Sequence, residues 1–224
     1  MHSRSAEERR AELVELYREA AVCARCPLSK TRTKVVFGAG NADADLMFVG
    51  EAPGVHEDQR GLPFVGRAGQ LLNKLLEEIG MSRDDVFIAN VLQSRPPGNR
   101  DPQPDEIDAC KPFLHRKIEL IEPKAVCTLG NFSTKLLTRS QRGITSVHGR
   151  PQVHELGGRL LRVYPLYHPA AALRSTRTLD ELREDFARLR ALLEEPPPVP
   201  IGAVAPVAAV AAEPAEPAPP TLFE

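Results

Sequence analysis

Four short apolar runs, at residues 46–49, 86–89, 125–129 and 160–164, are each followed by a segment whose apolar residues recur at helical spacing. The helical segments are 68–79, 105–121, 132–137 and 179–193. A continuous apolar run reads as a strand buried on both faces, and strand–helix alternation brings successive strands together in parallel. The expected fold is therefore α/β, with three α/β/α layers and a mostly parallel central sheet. At 224 residues the chain can hold one such domain with a real core, or at most two small ones. No internal repeat of fixed period interrupts the pattern.

The two ends of the chain differ. Ser5, Ala6, Glu7 and Glu8 read as a capping box that opens an N-terminal helix. No apolar run approaches the roughly 20 residues of a membrane span, and the N-terminus lacks an apolar signal core. A cytoplasmic protein, acting as a monomer, is the expectation. The domain is expected to occupy 1–195. Residues 196–224 are dominated by Pro, Ala and Val without period, the composition of a disordered tail. The formal charge of −1 hides an asymmetry: from Glu194 onward the charged residues are all acidic, so the body is mildly basic, which is compatible with nucleic acid. At the far end, Leu222 and Phe223 add two large apolar groups. They resemble the ends of peptides that dock on sliding clamps, the competing reading being an inert terminus.

The richest local signal is GEAPGVHEDQRGLPFVGRAGQLL at 50–72, between the first apolar run and its helix. Loops that leave strand carboxyl ends build the ligand crevice of an open α/β sheet, and glycines let backbone approach a ligand closely. Glu51, Glu57 and Asp58 supply carboxylates there, and Phe64 stands between Pro63 and Val65. The plainer reading of Phe64 is a buried loop aromatic.

Four cysteines form a second signal. Cys23 and Cys26 make a C-x2-C after the first helix, Cys110 lies in the helix 105–121, and Cys127 lies in the third strand. Disulfides are not expected in a cytoplasmic chain. Four thiolates brought together suit zinc or an iron–sulfur cluster. The alternative is a pair of core cysteines beside an unrelated C-x2-C redox pair, although a thioredoxin-like pair follows a strand rather than a helix.

Three segments taken together resemble a known family: residues 50–72; Ile88-Ala89-Asn90-Val91 running into Arg95-Pro96-Pro97-Gly98-Asn99-Arg100; and Tyr167-His168-Pro169. With the cysteines, the chain is similar to family 4 uracil-DNA glycosylases, the iron–sulfur type, from Cys23 to Phe186. The resemblance implies a [4Fe–4S] cluster on Cys23, Cys26, Cys110 and Cys127, with a structural role. It implies hydrolysis of the N-glycosidic bond of deoxyuridine in DNA, initiating base-excision repair.

In that frame Phe64 stacks on the flipped uracil, Asn90 reads its edge and His168 holds O2 as negative charge develops. The wider superfamily often has Asp or Asn at the position of Ala52, which cannot polarise water. Glu51 and Glu57 are the candidates for the water, with Asp58 third; Glu51 is also a candidate to line the pocket near uracil C5, and backbone groups around Ala52 to hold the water. Leu173 is a candidate wedge into the duplex, or else the start of the next core helix. Arg174, Arg142 and Arg150 are candidates for phosphate contacts, and Asn99 and Arg100 for support of the site. The loop RPPGNRDPQP replaces the basic KRRIH-type insert of a related subgroup that traps DNA covalently, which favours hydrolytic turnover. Two other readings are a same-fold glycosylase with broader deaminated-base preference and a non-catalytic iron–sulfur DNA-binding module.

Overall fold

The computed structural model describes residues 4–199. The remainder of the Pro/Ala-rich tail, with Leu222 and Phe223, lies outside the described residues. Six strands form one sheet: β1 (Ala39–Gly40), β2 (Leu46–Gly50), β3 (Val86–Asn90), β4 (Ala125–Leu129), β5 (Gln152–Leu156) and β6 (Arg159–Leu166). Their order is β1-β3-β2-β4-β6-β5, with β3, β2, β4 and β6 parallel and the two edge strands antiparallel. The helices are α1 (Ala6–Ala21), α2 (Val55–Arg60), α3 (Arg67–Glu78), α4 (Pro104–Ile121), α5 (Asn131–Thr138), α6 (Ile144–Val147), α7 (Pro169–Ala172), α8 (Thr176–Ala187) and α9 (Leu189–Glu194). Among the described residues, no helix is long and apolar enough to cross a membrane.

Local chemistry sets several boundaries. Ser5 caps α1 in a reciprocal capping box with Glu8. Helix α4 starts with Pro104 in its first turn, where the missing N–H costs nothing. Glu106 closes that end by accepting from the Gln103 backbone at 2.9 Å and pairing with Arg100. The expected helix 179–193 is divided at Arg188 into α8 and α9, although Arg188 itself keeps a right-handed helical backbone (φ −82°, ψ −12°). Helix α2, inside the glycine-rich loop, and strands β1 and β5 are additions to the sequence reading.

The central strands are buried on both faces, and alternation sends successive side chains into two cores. Met47, Val49 and Val126 join Leu13, Phe113, Leu114 and Ile118 beneath α1 and α4. Phe48, Ile88, Cys127 and Tyr164 form a row across the strands and meet Leu72, Leu182 and Phe186 beneath α3 and α8. Phe48 stacks on Phe186, with ring centroids 5.7 Å apart and planes 13° from parallel. This pair ties α8 to the middle of the sheet. Phe186→Ala should therefore cost about 3–5 kcal/mol of stability, read as a lower urea midpoint at unchanged denaturant slope.

Candidate active site

The loops after β2, β3 and β6 leave the sheet at its carboxyl end and converge on one cavity of about 370 Å³. Its lining includes Glu51, Ala52, Glu57, Phe64, Asn90 and His168, with Asn99 and Arg100 at the side. The two strands that deliver Glu51 and Asn90 are neighbours in register, Gly50 facing Asn90. A side chain at Gly50 would put its Cβ 2.4 Å from Asn90 Oδ1 and 2.7 Å from the Phe64 ring. The strand ends in glycine because the cavity floor leaves no room there for a side chain.

Phe64 is 7% exposed and has a φ of 51°, the left-handed region that a bulky side chain rarely adopts. Such a conformation costs about 1–3 kcal/mol and persists only when neighbours hold it. Two side chains do so. Glu57 accepts from the backbone N–H groups of Val65 and Gly66, both at 2.9 Å. Arg83 donates to the carbonyls of Phe64 at 2.9 Å and Pro63 at 2.7 Å. Helix α3 presses on the same point, where Gly69 leaves room for the Phe64 carbonyl. Arg83 lies outside the motifs, and its part in the site could not be read from local sequence.

Asn90 is 2% exposed at the end of β3, and its Oδ1 is the one buried side-chain oxygen without a hydrogen-bond partner among the described residues. An orphaned acceptor in a cavity wall fits a ligand that brings a donor. His168 precedes α7, and its Nδ1 accepts from Ala170 N at 3.1 Å. That bond places the ring proton on Nε2. Burial pushes the His168 pKa down to about 4, against a smaller opposing pull from Glu57, so the ring is neutral at physiological pH. The His168 and Phe64 rings lie 5.6 Å apart, 28° from parallel.

The carboxylates divide their work. Glu51 is half-buried, and burial followed by the charge of Asp101 raises its pKa. Glu57 lines the cavity while one of its oxygens serves the loop backbone. Asp58, the third candidate, is absent from the cavity: it is the buried residue of α2 and accepts from Thr33 N at 3.0 and 3.2 Å. Its role in the structure is to fasten this loop to the N-terminal segment.

Around the cavity, Leu173 is 41% exposed beyond α7 and does not begin the core helix, which starts at Thr176. Arg142 and Arg150 lie on either side of α6, and with Arg174 they are exposed and have no carboxylate partner among the described residues. His148, between α6 and Arg150, packs on Tyr167 with centroids 4.4 Å apart and holds the buried Asp185 at 2.8 Å. This contact sets the α6 turn beside the loop that carries His168.

The cysteines do not form a quartet. Cys23, Cys26 and Cys110 pack on the α1/α4 core, whereas Cys127 lies on the opposite face of the sheet beside Tyr164. Strand alternation is the reason: Val126 takes the cysteine side and Cys127 the other. Among the described residues, no three His, Cys, Asp or Glu side chains are gathered closely enough to hold a single metal ion.

A model of the Uracil DNA glycosylase superfamily matches residues 37–192. The Type-4 uracil-DNA glycosylase of Sulfurisphaera tokodaii is 46% identical over 189 residues, covering 82% of this chain and 86% of its own. The Type-4 enzyme of Thermotoga maritima is 43% identical over 192 residues, covering 83% and 97%. A Type-5 uracil-DNA glycosylase of Pyrobaculum aerophilum is 32% identical over 146 residues, covering 58% and 63%.

The depressed pKa of His168 has a stability consequence. The folded value of about 4 lies below the ordinary 6.5, so the unfolded chain takes up this proton first. The contribution is complete above pH 6.5 and is lost as pH falls from there to 4. Over that window the native chain should lose about 3 kcal/mol more than His168→Asn, measured by urea unfolding at each pH.

Proposed function

The chain belongs to the uracil-DNA glycosylase superfamily, among its type-4 members, and from that premise we propose how its cavity hydrolyses the N-glycosidic bond of deoxyuridine in DNA. The observation that carries the assignment of residues is the Oδ1 of Asn90, unpartnered among the described residues and crowding Gly50 together with the Phe64 ring.

A base inside a duplex is out of reach, so the nucleotide is extruded into the cavity. Phe64 offers its face to the base, a contact worth about 1–3 kcal/mol. Asn90 Oδ1 accepts from uracil N3–H while its amide group donates to O4. Cytosine presents an acceptor at N3 and a donor at C4, so both contacts fail and a buried polar pair is left unmatched. His168, neutral and carrying its proton on Nε2, donates to O2 as the glycosidic bond lengthens and the base gains negative charge. A donor aimed at developing charge is worth about 3–4 kcal/mol. Glu51, half-buried on the cavity wall, is the group we assign to orient the attacking water toward the sugar carbon. Glu57 keeps Phe64 in place rather than acting on water.

Leu173 enters the gap left by the extruded nucleotide, and Arg174, Arg142 and Arg150 take phosphates around it. The family resemblance calls for an iron–sulfur cluster. Such a group, held on Cys23, Cys26 and Cys110, would fasten the segment after α1 to α4.

The direct test is incubation of the purified protein with a uracil-containing oligonucleotide. Free uracil and an abasic site should appear without added metal, and intact DNA in the presence of folded protein would refute the reading. Parallel duplexes carrying hypoxanthine or a thymine mismatch measure base preference. Asn90→Ala should lower kcat/KM for uracil by about 5–150-fold, equivalent to 1–3 kcal/mol. Gly50→Ala should be more damaging than its size implies, because the new methyl group meets both Asn90 and Phe64. Its uracil release should fall while its circular dichroism stays native.

A further inference from the structure

The cysteine face raises the question of what completes its site. Cys110 lies in the second turn of α4, and Cys23 and Cys26 pack against the same core. The three sulfurs are thus near neighbours, on one core, from two segments. Cys127 shares none of this, since its side chain is fully buried among Phe48, Tyr164 and Phe186 across the sheet.

The segment that runs past Cys110 is the continuation of β3. The Gln93 backbone donates to the Cys110 sulfur, and the next residue is Ser94. Ser94 is 3% exposed, and among the described residues its hydroxyl has one hydrogen bond, a long 3.4 Å bond from Arg32. Arg32 belongs to the turn that follows Cys26: its backbone N–H bonds Leu28, and its guanidinium also reaches the Ala21 carbonyl before Cys23. Ser94 therefore stands between the C-x2-C turn and Cys110.

A second observation concerns charge. Lys117, two turns along α4 from Cys110, is fully buried and has no carboxylate partner among the described residues. Its side-chain nitrogen donates to the carbonyl of Phe37 and to Gln93 Oε1 at 2.9 Å. A buried cation without an anion is costly. An anionic thiolate-bound group at Cys110 supplies the missing charge, and Arg32 adds a second cation on the other side of Ser94.

We propose that the metal site of this chain is built on three cysteines, Cys23, Cys26 and Cys110, with the Ser94 hydroxyl at the fourth corner, and that Cys127 takes no part. The proposal rests on the iron–sulfur reading above and changes its ligand set. Sulfide bridges space the ligands of a cluster more widely than a single ion does, which is consistent with the absence of a single-ion site. Binding releases the thiol protons of the three cysteines to solvent. The oxygen donor at the fourth corner holds its iron less firmly than a thiolate does.

The test uses the full chain, reconstituted anaerobically with ferrous iron and sulfide. Iron and sulfide content, the visible spectrum and the rate of iron loss to a ferrous chelator are read alongside circular dichroism. The native chain, Cys127→Ala and the volume-preserving Cys127→Val should bind equal iron and sulfide with the same spectrum, whereas Cys110→Ala should bind little. Ser94→Ala should lose iron about 10-fold faster than the native chain, and Ser94→Cys more slowly. Loss of the cluster in both Cys127 variants, or a Ser94→Ala protein with native iron-loss kinetics, overturns the proposal. A native chain that takes up no iron overturns the cofactor reading as well, while uracil release by the same sample leaves the glycosylase reading standing.

Discussion

Gly50 ends the central strand of the sheet, and the absence of a side chain there lets two others meet. Asn90 arrives from the neighbouring strand in register, and Phe64 arrives from the loop that Gly50 begins. Any Cβ would separate them. The parallel pairing of β2 with β3 thus fixes both the Asn90 amide and the loop that carries Phe64, the two groups we assign to reading and stacking on the base. Two side chains maintain the second of these: Glu57 from α2 and Arg83 from the connection between α3 and β3 hold Phe64 in a backbone conformation it would otherwise leave. The strain at Phe64 and the bonds that offset it belong to one device for presenting an aromatic ring at the cavity floor beside Gly50.

The sheet also separates two kinds of chemistry. One face carries the α1/α4 core with its three cysteines and the buried Lys117, and the other carries the aromatic row from Phe48 to Tyr164. The active site sits at the strand ends, between them. Helix α4 links the cavity with the cysteine face. Its first turn anchors Arg100, a cavity residue, through Glu106, and Cys110 follows one turn later.

Much of this was legible in the chain itself, for identifiable reasons. The buried parallel strands announce themselves as unbroken apolar runs, and α3 and α4 by their period. Asn90 and His168 fall at strand ends, where a ligand crevice belongs. What escaped reading depends on distance or on face. Arg83 acts on Phe64 across nineteen residues and belongs to no motif. Asp58 reads in the sequence as a third candidate for the water because helix α2, to which it belongs, is too short and polar to declare itself. The edge strand β5 alternates buried and exposed positions, yet its pairing with β6 depends on a glycine turn rather than an apolar run. Cys127 was misplaced by counting: four cysteines invite a quartet, but one step along a strand turns a side chain through the sheet.

The hydrogen bond from Ala170 to His168 has a consequence for where protons go. With Nδ1 occupied as an acceptor, the neutral imidazole has a single proton, on Nε2. Giving that proton away would leave an imidazolate, a far stronger base than the departing uracil. The side chain can therefore share the proton but not surrender it. On the proposed reading the base leaves as an anion, and the proton that the attacking water releases to solvent balances the one the anion takes up, so the enzyme ends in its starting protonation state.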